Sequence, residues 1–189
     1  YEHQSNGMIE GGIKLIGGQV RTMRGALEER YKQKIKEDHL CMPWMIRYAA
    51  NLMSWHQVGS DGKKGYERRK GRRINKKTVD FGECIFYCTA GSAGRNKFGS
   101  RWNTGVFLGV REESMENLIG TEEGIVKCKT IRRKGNHEER WKWDTFEKFT
   151  GSPWEPVPGR EGIQVRAKVY IPRPEEKVII TQNGVPRDV

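Results

Sequence analysis

Apolar residues recur at steps of three and four along the first part of the chain. This spacing places them on one face of an α-helix. The stripe consists of Ile9, Ile13, Ile16, Val20, Met23, Leu27 and Tyr31. We predict a helix from Met8 to about Lys36, preceded by a polar, glycine-containing turn at residues 3–7. Four of the glycines inside it, at positions 11, 12, 17 and 18, weaken it by about 1 kcal/mol each relative to alanine.

A second helix is predicted around Pro43, a residue that suits the first turn of a helix. The run from residue 43 to residue 55 is apolar on nearly all sides, which is typical of a buried helix. Its main stripe is Trp44, Tyr48, Leu52 and Trp55. We expect the helix to end near Gly59 and to form part of the core rather than a cofactor site.

From Val79 onward, β-forming residues occur in short runs. They predict strands over residues 79–88, 104–110, 117–120 and 125–131. Glu122-Glu123-Gly124 indicates a hairpin, and residues 90–99 are a loop rich in Gly, Ser and Asn. Short strands with tight turns predict a small curled sheet or barrel.

Residues 135–189 have a different pattern. Their aromatic cluster is Trp141, Trp143, Phe146 and Phe149. All prolines other than Pro43 fall after residue 152. We predict a short helix from Glu138 to Phe149 that docks on the barrel, then extended chain, and a linker from about Pro172.

Composition limits the expected size of the core, and the net positive charge is unevenly distributed along the chain. Hydrophobic residues make up 35% and charged residues 31% of the 189-residue chain, which predicts modest cores. No apolar run is long enough to predict a membrane span. The net charge is +11; residues 1–134 hold 26 Lys and Arg against 15 Asp and Glu, whereas residues 135–189 hold 9 of each. A polyanionic partner is therefore expected to bind the first part of the chain.

The positive charge is densest between Asp61 and Lys77, where nine of seventeen residues are basic and two are acidic. A run of one sign favours contact with phosphates, and a solvated connector is the alternative explanation. The candidate phosphate contacts here are Lys63, Lys64, Arg68, Arg69, Lys70, Arg72 and Arg73.

A second group of candidate phosphate contacts lies at the end of the last predicted strand: Lys127, Lys129, Arg132 and Arg133. Alternation places Lys127, Lys129 and Arg133 on one face, which also suits a solvated edge strand.

The cysteines give little support for a metal site. Cys84 and Cys88 fall on one side of a predicted strand, but no Cys-x-x-Cys motif or nearby His pair accompanies them. Buried thiols in a reducing compartment are the expected state, and a zinc site is the alternative.

Glu10 lies on the flank of the first apolar stripe, and Lys14 and Arg21 share its face at +4 and +11. A carboxylate in the first turn of a helix favours the helix dipole, which is one explanation of Glu10. The other is a metal-binding carboxylate beside basic residues that hold a phosphate. The pattern Gln4-x-Asn6-Gly7-x-x-Glu10, followed by a basic helix, resembles the last catalytic motif of retroviral-type integrases, especially those of copia-like LTR retrotransposons.

This resemblance implies an RNase H-like fold in which two Asp from earlier strands and one helix-borne Glu hold two divalent metal ions. Glu10 would be the catalytic, metal-binding carboxylate, and Lys14 and Arg21 would face DNA. The chain departs from the family at Gly11-Gly12, where a basic or polar residue is more usual. The two Asp are expected upstream of Tyr1, so we expect Mg²⁺ or Mn²⁺ in an intact parent and no metal or catalysis in this fragment.

Two further runs resemble the same family, and the second of them covers roughly residues 79–134. Gly65-Tyr66-Glu67-x-x-Lys70-Gly71 resembles the end of the copia-like integrase core, with Gly65 in place of the usual proline. A later part of the chain resembles the SH3-like domain that follows this core. It consists of Phe81-Gly82 and the following strand, a basic loop, and then residues 105–110. In that last run Val110 replaces the usual tyrosine.

Together these patterns predict an α+β protein: N-terminal helices from a truncated RNase H-like integrase core, then a small SH3-like β-barrel and an extended, partly disordered tail. The expected divisions are the core helices at 1–60, a basic linker at 61–78, the barrel at 79–134 and the tail at 135–189. The function implied by the resemblance is DNA integration, with DNA and further integrase copies as partners, no membrane, and a nuclear or virus-like-particle location in a eukaryotic host. The alternatives are a noncatalytic nucleic-acid-binding adaptor with a small barrel, or a structural interaction protein.

Overall fold

The computed structural model describes residues 2–88 and 100–160, in which helices and one antiparallel sheet confirm an α+β fold. The helices are α1 (Glu2–Tyr31), α2 (Cys41–His56), α3 (Gly65–Lys70), α4 (His137–Arg140) and α5 (Trp143–Glu147). The strands are β1 (Cys84–Cys88), β2 (Trp102–Arg111), β3 (Glu116–Thr121), β4 (Gly124–Cys128) and β5 (Thr130–Arg133). The predicted loop at 90–99 lies outside the described residues, and so does the predicted linker from Pro172. None of the described helices is long and apolar enough to cross a membrane.

The helix α1 is longer at its start and shorter at its end than the sequence predicts. Residues 3–7, expected to form a turn, are helical. The polar residues cost at most about 0.7 kcal/mol each in a helix and Gly7 costs about 1 kcal/mol, whereas each residue added to an existing helix gains a backbone hydrogen bond. The helix ends at Tyr31 rather than near Lys36 because Lys32 takes the left-handed conformation, with φ of 55°.

The second predicted helix is confirmed as α2. It begins two residues before Pro43, and its buried residues include Trp44, Tyr48 and Trp55 of the predicted stripe. Leu52 is half-buried and packs against the same core. The long apolar run therefore marks a core element, as its composition predicts.

The sheet has the strand order β4-β3-β2-β1-β5 and is antiparallel throughout. The predicted hairpin joins β3 to β4, where Thr121 pairs with Gly124 and the glycine has φ of 123°. Gly124 suits this position because a φ in this range disfavours residues with a Cβ. The five strands match the four predicted runs, except that the last run is divided into β4 and β5.

The two outer strands of the sheet, β4 and β5, are separated by Lys129 alone. Three consecutive residues span at most about 7.6 Å between their outer Cα atoms. A flat sheet of this order would separate its outer strands by about 19 Å. The sheet is therefore strongly curled, and the side-chain amide of Asn117 holds the corner by donating to the carbonyls of Cys128 and Lys129, each at 3.1 Å.

The helices α1 and α2 pack on this sheet and share one core with it. The Tyr48 ring meets Phe107 edge-on at 5.8 Å and stacks on Phe81 at 5.7 Å between centroids. The Tyr31 hydroxyl donates to the carbonyl of Gly82 at 2.6 Å. The apolar face of α2 and that of the C-terminal half of α1 thus cover the sheet of this chain.

Residues 135–160 also belong to this core rather than forming only an extended tail. The single helix predicted over Glu138 to Phe149 is two short helices, α4 and α5, and the buried aromatics around them close over the end of α1. Phe146 lies 4.7 Å from the Tyr31 ring. The chain then returns along the sheet, where the carbonyl of Pro156 accepts from the backbone N–H of Ile125 at 2.7 Å.

Candidate nucleic-acid interface

The basic segment, Asp61 to Lys77, is an ordered part of the fold. Val58 and Lys64 form an isolated β-bridge, and the short helix α3 follows. Tyr66 buries its side chain in the core, so α3 is fixed to the body of the molecule. Gly71 ends the helix with φ of 68°. The segment expected to be a linker therefore presents its charges on a defined backbone.

Arg68 is bound to neighbouring groups of the same segment. Its Nε donates to Asp61 Oδ2 at 2.8 Å, and a second guanidinium N–H donates to the other carboxylate oxygen. It also donates to the carbonyl of Lys63 at 3.2 Å. The hydrogen bond from Arg68 lowers the pKa of Asp61 to about 2. This paired geometry is the bidentate form that makes Arg–carboxylate pairs specific.

Two more arginines of the segment face carboxylates. Arg69 forms an ion pair with Glu112, which lies in the turn between β2 and β3. Arg73 Nε lies 3.5 Å from Glu67 Oε1, a weaker contact. The positive charge of these arginines is therefore partly balanced within the chain.

The other four candidates in the segment differ from these arginines. Lys63, Lys64, Lys70 and Arg72 form no ion pair with any carboxylate in residues 2–88 and 100–160. Lys64 is half-buried and the other three are exposed. They flank α3, two before it and two at or after its last residue, and we call them the unpaired set.

After α3 the segment runs beside the curled corner of the sheet. Lys76, which is not among the predicted contacts, donates its amine to the carbonyl of Met115 at 2.8 Å. Its pKa is lowered by burial and raised by the nearby Cys128 thiol, with burial the larger effect. Because Cys128 lies between Lys127 and Lys129, both exposed, the two predicted basic groups approach each other at this corner.

The two arginines at the end of β5 have different environments. Arg132 is exposed. Arg133 donates to both carboxylate oxygens of Glu83, at 2.7 and 3.0 Å, and to Asp80 at 3.2 Å. Glu83 is fully buried, and its hydrogen bonding raises the pKa of Arg133. Arg133 thus compensates a buried charge, a role that sequence analysis misses although a Glu inside a β-forming run is the signal for it.

Glu10, Lys14 and Arg21 are all exposed on α1. No group of three or more His, Cys, Asp or Glu side chains in the described ranges is placed to hold a metal ion. Glu10 therefore does not fit a two-metal site with the described residues of this chain. The apolar residues beside it, Ile9 and Ile13, are each 64% exposed.

Three of the four thiols fit the expectation of buried cysteines. Cys41, Cys84 and Cys128 are buried, whereas Cys88 is half-buried. Burial raises the pKa of Cys41 to about 12 and that of Cys128 to about 11. Thiols with raised pKa values are poor nucleophiles and poor metal ligands at neutral pH.

The fold defines the chain as an α+β protein with an ordered, strongly basic segment beside a curled sheet. Comparison with protein-family models, with curated proteins and with solved structures gives no match to this chain. The functional argument therefore rests on the residues and their geometry.

Proposed function

We propose that this chain is the C-terminal part of a copia-like LTR retrotransposon integrase and that it binds DNA through the phosphate backbone. The observation that carries the binding proposal is the ordered basic segment, where the unpaired set lies on either side of α3 and leads to Lys127 and Lys129. Fixed cations without internal carboxylate partners release counterions when they meet phosphates, which is the main source of sequence-independent affinity.

The order of elements along the chain supports the family proposal. The motif ending in Glu10 opens the first helix, a buried helix follows, and then come the basic segment and the sheet. The proposed SH3-like barrel is consistent with five short antiparallel strands whose outer members are joined by a single residue. In small barrels, closure brings the first and last parts of a sheet together in this way.

In the proposed parent protein, Glu10 joins two aspartates from a longer chain. Together with those aspartates, Glu10 would hold divalent metal ions, which would supply Lewis-acid chemistry for DNA strand transfer. The contribution that this chain makes by itself is DNA binding and the placement of one carboxylate.

The binding proposal is tested by fluorescence anisotropy with two duplex DNAs of unrelated sequence, between 50 and 200 mM KCl. Contact with about six phosphates predicts a slope near −5 in a plot of log K against log salt. The two DNAs should give the same slope. Binding that does not respond to salt would refute the electrostatic interface.

A pair of double variants locates the interface. Lys63→Ala with Lys70→Ala removes two cations of the unpaired set and should flatten the slope by about 1.8. Lys142→Ala with Lys148→Ala removes the same charge from exposed positions in the charge-neutral part of the chain. Equal slopes for the two double variants would show that only net charge matters.

A further inference from the structure

We infer that Asp61 and Glu112 act as internal substitutes for phosphate that withhold Arg68 and Arg69 from DNA. This inference rests on the proposed DNA-binding function and concerns its regulation. It divides the basic segment into two groups with separate tasks. The unpaired set meets phosphates, whereas Arg68 and Arg69 are positioning residues that hold the segment in place.

The surroundings of Arg68 show how firmly it is held. Its guanidinium bonds to both oxygens of Asp61 and to the carbonyl of Lys63. A Cβ placed on Gly59 would lie 1.8 Å from Arg68 Nη2, so the guanidinium packs directly against the backbone there. The N–H of Gly59 in turn donates to the carbonyl of Lys63 at 2.9 Å. Moving Arg68 to a phosphate would break its hydrogen bonds to Asp61 and to the carbonyl of Lys63.

Arg69 is held by an element on the sheet. Glu112 lies in the turn after β2, and its side chain is 17% exposed, so its carboxylate is largely shielded from water. The same turn is closed by the N–H of Met115, which donates to the carbonyl of Arg111 at 2.7 Å. Lys76 donates to the Met115 carbonyl. The turn that carries Glu112 is therefore fixed in position.

The consequence for binding follows from counterion release. An arginine already paired with a fixed carboxylate does not neutralise a DNA phosphate. It therefore displaces no condensed counterion from the DNA and adds little to the salt dependence. The unpaired set flanks a helix of six residues, about 9 Å long. Cations at its two ends can therefore reach neighbouring phosphates while the two arginines between them remain paired.

The test compares Glu112→Gln with Glu113→Gln. The two substitutions remove the same charge one residue apart, but Glu113 pairs with Arg111, which lies outside the basic segment. Glu112→Gln should free Arg69 and steepen the log–log salt slope by about 0.9, with several-fold tighter binding at 50 mM KCl. Glu113→Gln should leave the slope unchanged. Equal slopes in the two variants would overturn the inference.

A double-mutant cycle separates release of Arg69 from a general change in charge. Arg69→Ala should leave the slope unchanged in the wild-type background and flatten it by about 0.9 in the Glu112→Gln background. If Arg69→Ala flattens the slope by about 0.9 in the wild-type background, Arg69 already contacts DNA. That result would overturn this inference and leave the proposed function intact. Absence of salt-dependent binding in the wild-type chain would overturn the proposed function together with it. Circular dichroism melts of each variant establish that the compared proteins are folded.

Discussion

The two halves of α1 have the same apolar spacing and very different surroundings. In the C-terminal half, Leu27 is 2% and Tyr31 5% exposed, in contact with the sheet and the aromatic residues of the C-terminal region. In the N-terminal half, Ile9 and Ile13 are each 64% exposed. The helical period is the same in both halves, so periodicity fixes the face of the helix that is apolar but not whether another element covers it.

The difference lies in what the chain places opposite each half. Gly82 lets Leu27 approach the sheet closely: a Cβ there would lie 2.7 Å from Leu27 Cδ2. Arg30 adds a salt bridge to Asp80 at 3.2 Å and lies over the Trp141 ring at 4.5 Å from its centroid. The C-terminal half of α1 is therefore held by packing and by charge.

The largest predicted effect compares Leu27→Ala with Ile13→Ala. Removing the buried Leu27 side chain should lower the free energy of unfolding by about 2–5 kcal/mol, because it leaves a cavity beside the sheet. Removing Ile13 should change it by less than about 0.5 kcal/mol, because that side chain is already in water. Chemical denaturation of both variants measures the difference. Similar losses would mean that another surface covers Ile13 in solution.

The next effect compares the two arginines at the end of β5. Arg133→Ala leaves the buried carboxylate of Glu83 without its main partner and should cost about 2 kcal/mol of stability. Arg132→Ala should cost almost nothing but should flatten the DNA salt slope, because Arg132 is an exposed member of the predicted basic group that includes Lys127 and Lys129. Denaturation and anisotropy on the same two proteins separate the roles. A stable Arg133→Ala variant with weakened DNA binding would show that Arg133 contributes to the proposed DNA interface.

Much of the fold could be predicted from the sequence because its signals are local. The amphipathic period gives α1, the apolar run gives α2, and the β-forming runs give the strands. The curl of the sheet is not a local property. It depends on the pairing of β5 with β1 while β4 pairs with β3, and no residue pattern encodes that pairing directly.

The candidate interface could be predicted from the sequence as a charged region. Which of its cations are paired with carboxylates and which are unpaired could not be predicted. Arg68 and Lys70 are equivalent in a sequence count, yet one is paired with Asp61 and the other is unpaired. The partner of Arg69, Glu112, lies far along the chain and approaches it only because the turn after β2 folds back on α3. Pairing of this kind depends on tertiary structure, so it could not be read from composition.

A smaller effect concerns pH and the C-terminal half of α1. Glu28 accepts hydrogen bonds from Lys34 Nζ at 2.8 Å, the Ile35 N–H at 3.0 Å and Arg24 Nε at 3.2 Å. These partners, Lys34 foremost, lower the pKa of Glu28 to about 2. A carboxylate whose pKa is lower in the folded than in the unfolded chain stabilises the fold at any pH above its unfolded-state pKa. That stabilisation is lost as the pH falls from about 4.5 towards 2.

Thermal melts between pH 2 and pH 7 test this effect. Glu28→Gln should lower the melting temperature at neutral pH and reduce the further loss on acidification. Glu29→Gln is the matched control, because Glu29 is exposed and forms no ion pair among the described residues. If both variants follow the wild-type acid profile, the contacts of Glu28 do not stabilise the end of α1.

The smallest predicted effect is that of Glu10→Gln, in the uncovered half of the same helix. Glu10 is exposed and has no ion pair within the described residues, so the substitution should change stability by less than about 0.5 kcal/mol. DNA affinity should also change little, since the proposed contacts lie at the basic segment.

The proposed role of Glu10 can be tested only in a longer chain that supplies two aspartates. In that chain Glu10→Gln should abolish strand transfer, because a neutral amide binds Mg²⁺ more weakly than a carboxylate. The measurement is a strand-transfer assay on that longer protein with Mg²⁺, alongside DNA binding. Full activity of the variant would remove Glu10 from the proposed catalytic site, and lost DNA binding would show that the residue acts in this chain by itself.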